Sequence, residues 1–314
     1  MSEKKEPLVK KKQASELNEP SLIGRDEIIA QILESLSQMH EKVPRFLLLS
    51  GGQGIGKSRV CKEIQERAQE DPKETFFLES TCKAEDEQNE FIRAMQIVFQ
   101  LYTRHGLVPK RNYVGNFPSA LSPDFVEFAL APLTEESMID VFSSVESDNE
   151  KINAAVSSYV RSHAQEKSIC LVLDNLHLID RRTGDWLLQL CTSLSQGDRL
   201  VIIGMYRGDQ ASGENNFQRI LPRFRMAPHF KEIKLSPIIP RDTISLIRSA
   251  VGPVQIDQSD IMMFYRATRG VPYLMLDLIR EMAEEGKITW QDGAWGLAIR
   301  SEERRVGKEC RSRW

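Results

Sequence analysis

Short, uninterrupted apolar runs alternate along this chain with longer stretches in which apolar residues recur every three or four positions. The runs are Phe46–Leu49, Thr75–Leu78, Ile169–Leu173 and Leu200–Met205, and Phe230–Leu235, which mixes charged with apolar residues, is a fifth strand candidate. Runs of this length, bounded by polar or turn residues, predict buried strands of the kind found in parallel sheets. Between them lie helical stripes: Ile28, Ile29, Ile32, Leu33 and Leu36; then Val60, Ile64 and Ala68; then Phe91, Met95, Val98, Phe99 and Tyr102; then Leu187, Leu190, Cys191 and Leu194. After Pro237 and Pro240 only the helical period remains. It predicts helices over Asp242–Val251 and Ser259–Thr268, and a third opened by Pro272, with Leu274, Leu278, Ile279 and Met282 inward and Gly286 just past its end. Asp292-Gly293 between Ile288–Trp290 and Ala294-Trp295 predicts a hairpin.

Alternation of strands and helices, then helices alone, predicts an α/β fold. Its expected form is a parallel five-stranded sheet with helices on both faces over residues 21–235, followed by a small helical lid with a terminal hairpin over 236–299. Pro109, Pro118, Pro123 and Pro132 break the pattern, so an insertion is expected over about 106–165, with short helices around Phe125–Leu130 and Ser137–Phe142. Residues 1–20 are rich in Lys and Glu, lack an apolar period and read as a disordered arm. Arg300–Trp314 loses all pattern and reads as an in-frame translation of sequencing-adapter DNA, with the natural chain continuing differently beyond about Ile299.

Composition narrows the function classes. With 41% apolar and 28% charged residues and a formal net charge of −3, the 314-residue chain is not a wholly basic nucleic-acid binder, and only a local patch could serve that role. The five cysteines have no metal-like spacing, and their odd, scattered set fits a reducing compartment. No apolar run approaches membrane-spanning length and the N-terminus is charged, so the cytoplasm is the expected location, with Lys10–Lys12 leaving nuclear import open.

The richest chemistry lies where the first run ends. Phe46–Leu49 empties into Gly51-Gly52-Gln53-Gly54-Ile55-Gly56-Lys57-Ser58-Arg59, and an amphipathic helix follows. This is the P-loop pattern in its strand–loop–helix context. Glycines let backbone N–H groups converge on phosphate oxygens, and the helix adds its positive N-terminal end. Lys57 then neutralises β- and γ-phosphates, and the Ser58 hydroxyl is the expected Mg²⁺ ligand. At Asp174 the third run ends in an acid, in the manner of a Walker B strand, making Asp174 the second expected ligand of the magnesium shell.

A further box, Leu22-Ile23-Gly24-Arg25, stands just upstream of the P-loop. With it, the chain resembles AAA-type and STAND ATPases, in particular the origin-recognition-complex-like AAA ATPase domains, over roughly residues 21–299. The resemblance implies an adenine pocket bordered by Leu22, Ile23, Gly24 and Arg25, with the proline of a Gly-x-Pro element, Gly270-Val271-Pro272, over the base. It also implies that Arg207, ending the fourth run, senses the γ-phosphate, and that one of Arg219, Arg223 and Arg225 acts across a subunit boundary. Asn175 departs from the pattern, because many relatives carry an acid there. Asn orients a water but accepts no proton at neutral pH, so hydrolysis is expected to be slow or to draw on His177 or Asp180. The function these features imply is an ATP-binding switch, with Mg-ATP (or ADP) held between the α/β domain and the lid and an effector region or protein partner beyond residue 299; homo-oligomers are compatible with it. The alternatives are an origin-recognition-like DNA-binding ATPase, for which the charge offers little support, and a P-loop small-molecule kinase. No membrane partner is expected.

Overall fold

A computed structural model describes residues 13–41, 45–70, 75–83, 97, 149–208, 215–291 and 294–297. Apart from Ile97, the helix expected around Phe91–Tyr102 lies outside the described residues, as do those at Phe125–Leu130 and Ser137–Phe142. The chain divides into two compact units: one of residues 28–52 and 61–234, the other of 1–27, 53–60 and 235–314.

The larger unit is built on a five-stranded sheet. Its strands are β1 (Arg45–Ser50), β2 (Thr75–Thr81), β3 (Ser168–Asp174), β4 (Leu200–Tyr206) and β5 (Phe230–Lys234), in the order β2-β3-β4-β1-β5. Every pairing is parallel. Burial follows position in the sheet. All seven residues of β4 are buried, whereas β2 at one edge alternates buried with more exposed positions, as expected for strands covered on two faces and on fewer. β4 lies between β1 and β3, and its register sets Ser50 opposite Tyr206 and Leu173 opposite Gly204. Ser50, Asp174 and Tyr206 therefore all close strands at the same, carboxyl edge.

Helices cover both faces. On one, α3 (Asn149–Glu166), α4 (Arg181–Ser193) and α5 (Asn216–Arg225) bury Val160, Trp186, Phe217 and Phe224 against Phe46, Leu171 and Ile202. On the other, α2 (Lys57–Gln69) brings Cys61 Sγ within 3.4 Å of Met205 Sδ. α1 (Asp26–His40) buries Ile29, Ile32, Leu36 and Met39, a stripe of helical period. The structure differs from the expected insertion at one end: residues 149–165 belong to α3, a core helix that packs on β3 and α4.

In the smaller unit, α6 (Pro240–Val251), α7 (Gln258–Thr268) and α8 (Pro272–Glu284) enclose a core that includes Leu246, Phe264, Met275 and Ile279. Proline opens α6 and α8, where its missing N–H costs nothing. The hairpin forms as β7 (Ile288–Gln291) and β8 (Ala294–Leu297), and a two-residue β6 (Val254–Gln255) adds to it in parallel. The arm is not featureless at its end. Residues 14–16 form a 3-10 turn, Leu17 packs on the helical core, and Asn18 N–H donates to Ala250 O at 2.9 Å.

Candidate functional site

The loop after β1 has the backbone its glycines allow. Gly54 and Gly56 adopt φ of 70° and 101°, values that residues with a Cβ rarely take. A Cβ built on Gly52 or on Gly56 meets no atom within 4 Å, so the absent side chains leave open space of the sort a phosphate oxygen fills. At Gly54 the reason for glycine is different: a Cβ there would stand 2.7 Å from Tyr273 Cβ and 3.3 Å from Val271 Cγ1. The start of α8 is pressed onto the loop, and Tyr273 N–H donates to Gly54 O at 3.1 Å. Pro272 is the first residue of that helix and is half-buried beside it. α2 begins at Lys57, with Lys57 half-buried and Ser58 exposed in its first turn. Arg59 is drawn back to the N-terminal segment, pairing with Glu19 and donating to Pro20 O at 3.4 Å.

The upstream box borders the loop, and Arg25 is turned to backbone carbonyls. It is buried and donates to Ile55 O at 3.3 Å, Ser236 O at 2.6 Å and Gly24 O at 3.4 Å. Burial lowers its pKa and the nearby Asp242 carboxylate opposes that shift. Gly24, at φ 67°, permits the approach of Asp242, since a Cβ there would lie 2.6 Å from Oδ2. Ile23 packs on the helical core, and Leu22 beside it is half-buried.

At the carboxyl edge of the sheet, Asp174 is half-buried and its Oδ1 accepts the Asn175 N–H at 2.7 Å. Asn175 takes the left-handed conformation, φ 55° and ψ 40°, which Asn adopts more readily than most residues. A 3-10 turn over Leu176–Leu178 follows, and Leu176 rests on β4 where Gly204 has no side chain; a Cβ there would lie 2.4 Å from Leu176 Cδ1. Arg207 comes directly after β4, whose last residue Tyr206 donates to Glu232 at 2.6 Å.

β1 thus runs into a glycine-lined loop and then into α2, and Asp174 closes β3 in the same sheet. A family model described as an AAA ATPase domain matches residues 21–203. The chain belongs to the AAA ATPase domain family. Many solved structures share the fold, Cdc6p and ORC1 proteins among them. Cdc6p from Pyrobaculum aerophilum is 14% identical, with a TM-score of 0.50 over 85% of this chain and 64% of that one. The Aeropyrum pernix ORC1 protein, solved in complex with DNA, is 14% identical, with a TM-score of 0.53 over 94% of this chain and 67% of that one. The chain thus spans less than two thirds of the first of these proteins. No functionally curated protein matches it.

Several side chains of this AAA ATPase domain have structural duties that the sequence pattern left open. Asp180 is buried and caps α4, its Oδ1 accepting Thr183 N–H at 2.8 Å. His177 is buried in the 3-10 turn. Of the three arginines on α5, Arg219 pairs with Asp185 at 3.1 Å and Arg225 with Glu232 at 2.9 Å. Arg223 is exposed, with no side-chain partner among the described residues. Sequence reasoning missed Tyr273 and Ser236, since both reach the loop region through backbone atoms, which carry no residue-type signal.

Proposed function

We propose that this chain is a nucleotide-dependent switch, in which the loop ending at Lys57-Ser58 grips the phosphates of ATP or ADP and the helices α6–α8 report its occupancy. What carries this reading is the bond from Tyr273 N–H to Gly54 O, at 3.1 Å. Through it, the helix opened by Pro272 begins on the phosphate loop, so a rearrangement of that loop is felt at the first turn of α8. A ligand shifts such an equilibrium only by its differential contacts with the two states, and a backbone bond to the loop supplies one.

The residues divide the work. Gly51–Gly56 offer N–H groups, Lys57 supplies positive charge, and Arg207 is assigned to the γ-phosphate as the feature that distinguishes ATP from ADP. Mg²⁺, when bound, neutralises phosphate charge and is held through few protein oxygens; Ser58 and Asp174 are the residues assigned to it. Asn175 orients water without taking its proton, which suits slow turnover and a long-lived bound state. A region beyond residue 299 then reads the position of α6–α8. DNA binding is the weaker reading for this chain. Its net charge is −3, and two of the three arginines on α5 are already paired with carboxylates.

Isothermal calorimetry with Mg-ATP and Mg-ADP tests the proposal. The unmodified chain is expected to bind both, and Lys57→Ala to weaken Mg-ATP by about 10- to 100-fold, the loss of one hydrogen bond to a charged group. An absence of binding heat with the unmodified chain, or equal affinity in Lys57→Ala, overturns it.

A further inference from the structure

A phosphate loop works only if its peptide planes are turned so that N–H groups face the anion. In a trans peptide the carbonyl of one residue and the N–H of the next point in opposite directions, and the described residues contain no cis bond. Turning an N–H toward the cradle therefore turns a carbonyl toward the protein behind it, where it needs a donor. Two consecutive carbonyls of this loop have such donors. Gly54 O accepts from Tyr273 N–H at 3.1 Å, and Ile55 O accepts from the Arg25 guanidinium at 3.3 Å.

We infer that Arg25 is a positioning residue for the anion cradle: with the Tyr273 N–H it fixes the planes of the Gly54–Ile55 and Ile55–Gly56 peptides, aiming the N–H groups of Ile55 and Gly56 at the phosphates. The inference rests on the nucleotide-binding reading above and names the residue that shapes its site. Arg25 does more than satisfy one carbonyl. The same terminal nitrogen reaches Ser236 O at 2.6 Å, in the segment leading to α6. Two residues on, Ile238 N–H donates to Gly270 O at 2.9 Å, at the turn that opens α8. The contacts form a closed circuit, from loop to Arg25, to the 236–238 segment, to the Gly270 turn, to Tyr273 and back to the loop. Arg25 is buried and its guanidinium is turned to three carbonyls. A guanidinium suits this post because its planar fork holds several acceptors in fixed directions, which a lysine ammonium on a flexible stem does not.

The test uses the full chain. Mg-ADP affinity by calorimetry, melting without nucleotide, and backbone amide shifts on ADP addition are measured for the unmodified protein, Arg25→Lys and Lys57→Ala. Arg25→Lys is expected to weaken Mg-ADP by about tenfold or more, as for a lost charge-assisted hydrogen bond, and to abolish the ADP-induced downfield shifts of the Ile55 and Gly56 amides. Those shifts are expected in the unmodified protein, a readout that needs no folded variant. Unmodified affinity in Arg25→Lys, lower melting with the shifts retained, or unmoved Ile55 and Gly56 amides in a nucleotide-bound unmodified chain each overturn the inference while leaving nucleotide binding intact. If the unmodified chain binds no Mg-ADP, both readings fall together, and Lys57→Ala then behaves identically.

Discussion

Gly54→Ala offers a sharp quantitative test of the contact between α8 and the loop. At φ 70° an alanine sits in left-handed backbone, at a cost of about 1–2 kcal/mol. Its Cβ would also stand 2.7 Å from Tyr273 Cβ. That atom is fixed to the helix backbone and cannot swing away as a side-chain tip does. Relief therefore requires the first turn of α8 to lift from the loop, stretching or breaking the Tyr273–Gly54 hydrogen bond, for a further 0.5–1.5 kcal/mol or so. The sum is about 1.5–3.5 kcal/mol, or roughly 2–5 °C in melting temperature for a protein of this size. The assay is thermal unfolding without nucleotide, beside Gly52→Ala as a control. A Cβ on Gly52 meets nothing within 4 Å and its φ is not positive, so its stability is expected to stay within about 0.5 kcal/mol of the unmodified chain. Coincident melting of Gly54→Ala and Gly52→Ala would refute the argument that α8 is seated on this loop.

Other expectations follow from the same structure. Asp180→Ala removes a helix cap and is expected to destabilise by about 1 kcal/mol while leaving steady-state ATP turnover unchanged; a selective fall in turnover would show that the carboxylate has a second role. Asn175→Asp keeps a residue tolerated in left-handed backbone and introduces a carboxylate, so Mg-ADP affinity is expected to hold and turnover to rise; flat turnover would move the search for what limits hydrolysis to His177 or to a partner's arginine. Burial first, and then the hydrogen bond to Glu232, push the Tyr206 phenol up from 10.0 to about 12. The folded state therefore favours the protonated phenol, a contribution present in full below the ordinary value of about 10 and lost as pH rises through about 12. Urea midpoints measured across that window should fall for the unmodified chain and fall less for Tyr206→Phe; parallel slopes would rule the phenol out as the source.

The parts of this fold that are plain in the sequence are those where burial is uniform. β3 and β4 are covered on both faces, so Ile169–Leu173 and Leu200–Met205 read as unbroken apolar runs, and the glycines of the loop are dictated by backbone geometry. α3 was illegible for the opposite reason. It buries Asn153, Ser157 and His163 along with Val156 and Val160, and a buried stripe that mixes polar with apolar residues has no clean period. β6 has only two residues, too few for any pattern. The end of the N-terminal arm is held by a backbone bond from Asn18 and one apolar contact from Leu17, which leaves its charged composition unchanged. For the site, residue type marked the loop and Asp174. The circuit around Ile55 runs through the carbonyls of Ser236 and Gly270, atoms every residue possesses, so only Arg25 left a trace in the sequence.

That circuit bears on how the molecule can be dissected. A fragment stopped after β5, where the sheet ends, would retain every glycine of the loop, Lys57, Ser58 and Asp174 yet lack Ser236, Ile238, Gly270 and Tyr273. Its phosphate loop would carry the right residues without the braces that shape it, so an engineered chimera that exchanges the helical segment must carry over residues 236–273 and Arg25 as one inherited block.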